Sequence, residues 1–126
     1  MNPADLKYSE DHEWIRLGDD DLEVGITDYA QSELGDITFI ELPEAGKDLE
    51  AHDEIGVIES VKAASDVYAP ISGTVSAVNK TLEDMPETIN RDPYGDGWIC
   101  KFVDFDEAAL GKLMSAEEYE KFVATK

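Results

Sequence analysis

Two short apolar runs of β type, Ile55-Gly56-Val57-Ile58 and Val67-Tyr68-Ala69-Pro70-Ile71-Ser72-Gly73, bracket the segment Glu59–Asp66, and a lysine, Lys62, stands in the middle of it. Runs of this kind separated by so few residues predict adjacent antiparallel strands joined by a hairpin turn. The turn has an odd composition. Solvated turns favour Gly, Asn and Asp, whereas Lys62 is flanked by Val61, Ala63 and Ala64. Apart from Lys62, no Lys or Arg lies between Lys47 and Lys80. A surface lysine is ordinarily a solvated charge with no further role. Here the small neighbours, the stiff hairpin and the isolation of the amine present the side chain for attachment. The lysyl stem supplies reach and the hairpin fixes its base.

Strand signals continue on both sides of this hairpin. His12–Leu17 predicts a first strand, closed by the turn Gly18-Asp19-Asp20-Asp21. Leu22, Val24 and Ile26 alternate with Glu23, Gly25 and Thr27, the period of a half-buried strand. Thr27 or Asp28 is placed to cap a short helix through Leu34, which Gly35 ends. Ile37 and Phe39 are expected on one face of the next strand, before the turn Leu42-Pro43-Glu44-Ala45-Gly46. Thr74–Val78 and Trp98–Val103 supply the last strands. Gly35-Asp36-Ile37-Thr38-Phe39-Ile40 resembles Gly73-Thr74-Val75-Ser76-Ala77-Val78, which suggests two similar β units joined by the lysine hairpin. In the tail, Asp104 with Glu107 and Ser115 with Glu118 have capping-box spacing and predict helices over Glu107–Leu113 and Ala116–Ala124. Their expected role is to pack on the sheet and blunt an exposed edge. A single domain over residues 1–126 follows, with its core at about 12–103 and a helical tail at about 104–126.

The chain carries 10 basic and 30 acidic residues, a net charge of −20. That field repels phosphate backbones, so nucleic acid is excluded as a partner, and it favours partners with basic docking surfaces. It also favours a monomer, and adaptation to high salt is an alternative reading of the same acidity. One cysteine, Cys100, precludes an intramolecular disulfide and fits a reducing compartment. The start, Met1–Lys7, lacks the basic and apolar regions of a signal peptide. No apolar run approaches the ~20 residues of a membrane span. The expected location is the cytoplasm, with no membrane contact.

Enzyme chemistry finds little support in these residues. His12-Glu13-Trp14-Ile15-Arg16 starts like His-Glu-x-x-His but has Arg at the second ligand position. Asp19-Asp20-Asp21 lacks calcium-loop spacing, and Gly95-Asp96-Gly97 lacks the third glycine of a dinucleotide loop. Nothing in the sequence orients Ser60 or Cys100 as a nucleophile. His52 reads as a surface residue, and no metal is expected.

The segment Gly56–Gly73 closely resembles the lipoylation segment of the glycine cleavage system H-protein family. Tyr8-Ser9-Glu10-Asp11-His12-Glu13-Trp14, Gly35–Pro43 and Asn90-Arg91-Asp92-Pro93-Tyr94-Gly95-Asp96-Gly97-Trp98 resemble the same family in order and separation, so the likeness covers roughly residues 7 to 124. The resemblance implies a mainly β fold of the lipoyl/biotinyl hammerhead type, a β-sandwich (barrel-sandwich hybrid) with short helices and a C-terminal helical tail. It also implies a non-catalytic carrier with lipoate in amide linkage to Lys62. Such a carrier accepts an aminomethyl group from the pyridoxal-phosphate-dependent glycine decarboxylase and delivers it to the tetrahydrofolate-dependent aminomethyltransferase. The FAD enzyme dihydrolipoyl dehydrogenase reoxidises it, and lipoylating enzymes install the arm. The loaded arm ends in a cationic amine, which a carboxylate can hold and shield from water. The resemblance places Glu13 and Asp66 beside that amine, with Asp11 nearby; without it, Glu13 reads equally as an ordinary strand-face carboxylate. Two alternatives share the scaffold. A biotin carrier usually has Met on both sides of its lysine, where this chain has Val61 and Ala63. A lipoyl-relay paralogue outside glycine catabolism would have no need of amine-binding carboxylates.

Overall fold

The computed structural model describes residues 3–125; residues 1–2 and 126, at the two ends of the expected domain, lie outside the described residues. In chain order the elements are β1 (Lys7–Tyr8), β2 (Glu13–Leu17), β3 (Leu22–Ile26), α1 (Asp28–Leu34), β4 (Ile37–Glu41), β5 (Asp48–Leu49), β6 (Glu54–Ser60), β7 (Ala64–Tyr68), β8 (Gly73–Val78), α2 (Thr81–Asp84), α3 (Thr88–Arg91), β9 (Cys100–Val103), a 3-10 turn (Glu107–Lys112) and α4 (Ala116–Ala124). They form a six-stranded sheet, ordered β1-β2-β3-β9-β8-β5, and a three-stranded sheet, ordered β4-β6-β7. Every pairing is antiparallel. The two sheets enclose one apolar core, in which Val24, Val75 and Phe102 of the larger sheet meet Ile37, Ile40, Ile58 and Val67 of the smaller. Each such fully buried aliphatic side chain stabilises the fold by ~1.5–3 kcal/mol.

The repeat seen in the sequence returns as geometry. Ile37 pairs with Ser60 and Phe39 with Glu59, so Thr38 is an extra residue, a bulge, in β4. Val75 pairs with Phe102 and Ala77 with Lys101, so Ser76 is the equivalent bulge in β8. The Thr38 hydroxyl donates to the Glu59 carbonyl and the Ser76 hydroxyl to the Lys101 carbonyl, each at 3.3 Å. In both units the hydroxyl residue spans the strand pair where the ladder is broken. The bulge also corrects one expectation. It breaks the two-residue period, so Ile37 and Ile40 face the core while Phe39 is half exposed.

The helices divide between expected and missed. Thr27 caps α1, its hydroxyl accepting from the Ala30 amide, and Gly35 ends it at φ 79°, a left-handed conformation that glycine alone adopts readily. At α4 the capping box is complete: Ser115 accepts from the Glu118 amide and Glu118 accepts from the Ser115 amide. Asp106, rather than Asp104, caps the preceding 3-10 turn, because Asp104 itself lies at φ 52°. α2 and α3 were not anticipated; Leu82 and Ile89, both fully buried, anchor these single turns against the core. The tail also adds a second buried cluster, Leu6, Tyr8, Trp14, Ala116 and Tyr119. Tyr8 and Met114 exchange backbone hydrogen bonds of 2.8 Å, which closes the free edge of β1. Ser115→Ala should therefore cost about 1 kcal/mol in urea unfolding. Among the described residues, no helix is long and apolar enough to cross a membrane.

Candidate functional site

Lys62 sits at the tip between β6 and β7 and is exposed. The turn is closed by local hydrogen bonds. The Ser60 amide donates to the Ala63 carbonyl at 2.8 Å, and the Ser60 hydroxyl oxygen accepts from the amides of Lys62 and Ala63 at 3.2 and 3.1 Å. The Val61 amide donates to the Asp36 carbonyl at 3.0 Å, seating the tip on the segment after α1. The lysine stem runs across Gly35: a Cβ there would meet Lys62 Cε at 3.2 Å. The backbone of Lys62 is thus fixed while its side chain is exposed.

A cleft of about 190 Å³ opens beside the hairpin. Its lining brings together Asp11, Glu13 and Asp66, all three carboxylates expected from sequence. Ile26, Ala30, Leu34, Ile58 and Val67 contribute apolar wall, and Glu33 adds a fourth carboxylate that the sequence reading did not single out. Lys62 is not in the lining, but Ser65 and Asp66, next along the hairpin, and Leu34, just before Gly35, are. Asp11, Glu33 and Asp66 are exposed, so they sit at the mouth; Glu13 is 2% exposed and lies within.

Glu13 is the centre of a small polar network. It is the first residue of β2, where its side chain turns inward. Its Oε1 accepts from the Ser9 hydroxyl at 2.7 Å, and Oε2 accepts from the Tyr68 amide at 3.2 Å, tying β2 to the end of β7. Ser9 in turn accepts from the Glu13 amide at 3.1 Å. Burial raises the Glu13 carboxyl to about 7, overcoming the opposite influence of these donors. This is no ordinary strand-face carboxylate. Asp66 accepts from the Tyr68 hydroxyl at 3.3 Å, and the neighbouring Asp66 carboxylate raises the pKa of Glu54. Asp11 lies 3.8 Å from His52, whose side chain is highly exposed.

His12 takes a left-handed backbone, φ 67°, between the cleft and the tail. Its Nδ1 is 2.7 Å from the Tyr119 hydroxyl, which lies 2.7 Å from the Thr27 hydroxyl that caps α1. Its ring packs on Tyr29, another cleft residue, at 4.8 Å. Cys100 is buried, and desolvation pushes its thiol up to about 12, which leaves it a poor nucleophile. Gly35, Tyr29 and Glu33 were missed as site residues. Only the helix signal ending at Gly35 pointed toward them.

The family model described as glycine cleavage H-protein matches residues 6–126. A glycine cleavage system H protein of Listeria welshimeri is 54% identical over 119 residues, covering 94% of this chain and 95% of the relative. One from Chromohalobacter salexigens is 53% identical over 123 residues, 97% of this chain and 94% of the relative. The crystal structure of a glycine cleavage system H protein from Mycobacterium marinum superimposes with a TM-score of 0.89 at 38% identity, covering 98% of this chain and 99% of that one.

Proposed function

The chain belongs to the glycine cleavage H-protein family and acts as the lipoyl carrier of glycine cleavage, and from that premise we propose that Lys62 is the attachment point and that the cleft of Glu13, Asp66 and Asp11 receives the loaded end of the arm. The observation that carries this reading is the pairing of an exposed lysine on a fixed turn with a cleft that has apolar walls, carboxylates at its mouth and a carboxyl group at depth. The lipoyl disulfide, when bound, supplies the group-carrying and redox chemistry, taking up the aminomethyl group of glycine and ending as a dithiol. The residues present fit that group. Ile26, Ala30, Leu34, Ile58 and Val67 offer apolar surface to a hydrocarbon chain, and Glu13 offers a carboxylate to a primary ammonium.

The role of the protein's own residues is binding and exclusion. Asp11, Glu33 and Asp66 at the mouth draw a cation inward. Glu13, screened from water and held by Ser9 and the Tyr68 amide, pairs with it where bulk solvent does not compete. An ammonium beside Glu13 favours its ionised form, so entry below about pH 7 releases a proton. Retention of the loaded arm should therefore weaken as pH falls through 7, which a stopped-flow release assay across pH 6–8 measures. The protein acts as a substrate for its partners and performs no catalysis of its own. Those partners are the pyridoxal-phosphate glycine decarboxylase, the tetrahydrofolate-dependent aminomethyltransferase, dihydrolipoyl dehydrogenase and the lipoylating enzymes. A glycine–bicarbonate exchange assay with cognate decarboxylase tests the reading. Strong stimulation by the lipoylated chain and none by the unmodified chain is expected; equal rates with and without the lipoylated chain contradict it.

A further inference from the structure

The segment Asn90–Tyr94 is not part of the cleft lining, yet it holds the parts that place the cleft and the attachment lysine. Asn90, on α3, uses both ends of its amide. Nδ2 donates to the Gln31 side-chain oxygen at 2.8 Å and to the Gly35 carbonyl at 2.9 Å, while Oδ1 accepts from the Ile37 amide at 2.9 Å. Few side chains can make this set: it needs two donors and an acceptor on one short planar group. Four residues on, the Tyr94 hydroxyl accepts from the Asp28 amide at 2.9 Å. Asp28 begins α1 and Gly35 ends it, so the segment grips the helix at both termini. The grip is itself anchored to β2. The Pro93 carbonyl accepts from Trp14 Nε1 at 2.9 Å, and the Tyr94 carbonyl accepts from Arg16 at 2.7 Å.

α1 matters because Tyr29, Ala30, Glu33 and Leu34 form one wall of the cleft. The residues after it matter because the lysine turn rests on them. The Val61 amide binds the Asp36 carbonyl, Ser60 pairs with Ile37, and the Lys62 stem lies over Gly35. We propose that Asn90 and Tyr94 are positioning residues for the carrier arm: they fix α1 as a cleft wall, and Asn90 fixes the Gly35–Ile37 platform that aims Lys62. This rests on the reading of Lys62 as the attachment point. It gives the Asn90–Trp98 motif a task in function, beyond connecting α3 to β9.

The test follows lipoyl attachment to the full, unmodified chain by a lipoate-attaching enzyme, with the chain as varied substrate, alongside site-resolved amide exchange. Asn90→Ala removes all three bonds, and Asn90→Asp keeps only the acceptor for Ile37. Tyr94→Phe deletes one hydroxyl and keeps the ring packed near Trp14, so it stays folded even if the Asn90 variants do not. Lowered kcat, by about tenfold for the Asn90 variants, is expected with KM within about twofold, since the exposed hairpin at 61–65 keeps its own side chains. Exchange should quicken about tenfold at the Val61 and Gly35 amides for Asn90 variants, and at the Asp28 amide for Tyr94→Phe, with Val75 unchanged. Parental kcat and exchange in folded variants would overturn the proposal, as would acceleration spread evenly over both sheets. If the parent chain itself is not modified at Lys62, the underlying reading fails; if it is modified and the variants match it, only the positioning role falls.

Discussion

Lys62→Arg is expected to fold like the parent chain and to carry no lipoyl group. The side chain at this position is exposed, and the turn is held by the backbone amide of Lys62 and the hydroxyl of Ser60 rather than by the amine. Arginine retains the charge and most of the apolar stem that lies over Gly35, so the melting temperature should move by no more than roughly 1 °C. What it loses is chemistry. The guanidinium stays protonated and does not form an amide with a carboxylic acid under conditions where lysine does. Attachment, and with it glycine–bicarbonate exchange, should fall to the background without carrier. A large loss of stability, read by thermal unfolding, would instead show that the lysine amine has a structural task.

Glu13→Gln should separate charge from shape at the floor of the cleft. Glutamine can still accept from the Tyr68 amide and bond to Ser9, so the network that links β2 to β7 survives. The pH dependence of stability should change. Burial holds the Glu13 carboxyl protonated up to about 7, whereas the unfolded chain releases that proton near 4.5. The native state therefore binds the proton more tightly, and the resulting stability is fully present below pH 4.5 and lost as pH rises through 7. The difference across that window is on the order of 3 kcal/mol, at about 1.4 kcal/mol for each pH unit between the two values. Urea unfolding of both proteins at several pH values should show the parent losing stability relative to Glu13→Gln by that order between pH 4.5 and about 8; parallel curves would contradict it. The same variant has no charge to offer an ammonium. Release of the loaded arm should quicken by roughly tenfold to a hundredfold at about pH 8, the range expected for one hydrogen bond to a charged group.

Much of this was legible in the sequence, for identifiable reasons. The lysine hairpin, β3, α1 and the Ser115 box each rest on local signals that tertiary contacts did not override. The faint glycine repeat was also legible, and its meaning is clear in the paired bulges at Thr38 and Ser76. Phe39 defeated the reading because a bulge changes a strand's facing without any mark in the alternation. Asp104 did so because it is itself left-handed, so Asp106, two positions on, caps the turn, which starts at Glu107 as expected. At the site, Lys62 and Asp66 were close in sequence, and the resemblance supplied Glu13 and Asp11. The depth of Glu13 was not legible, since it sits against the backbone at Tyr68, 55 residues along the chain. Nor was the grip of Asn90 on Gly35, because hydrogen bonds between distant loops leave no periodic trace.

The central claim is that this hairpin lysine bears lipoate. Intact mass and peptide mapping of the chain from lipoate-competent cells test it most directly. An increment of about 188 Da confined to the peptide containing Lys62 is predicted, the addition of one lipoyl group to an amine. An increment of about 226 Da, that of biotin, or a lipoyl increment on any other lysine, would contradict it.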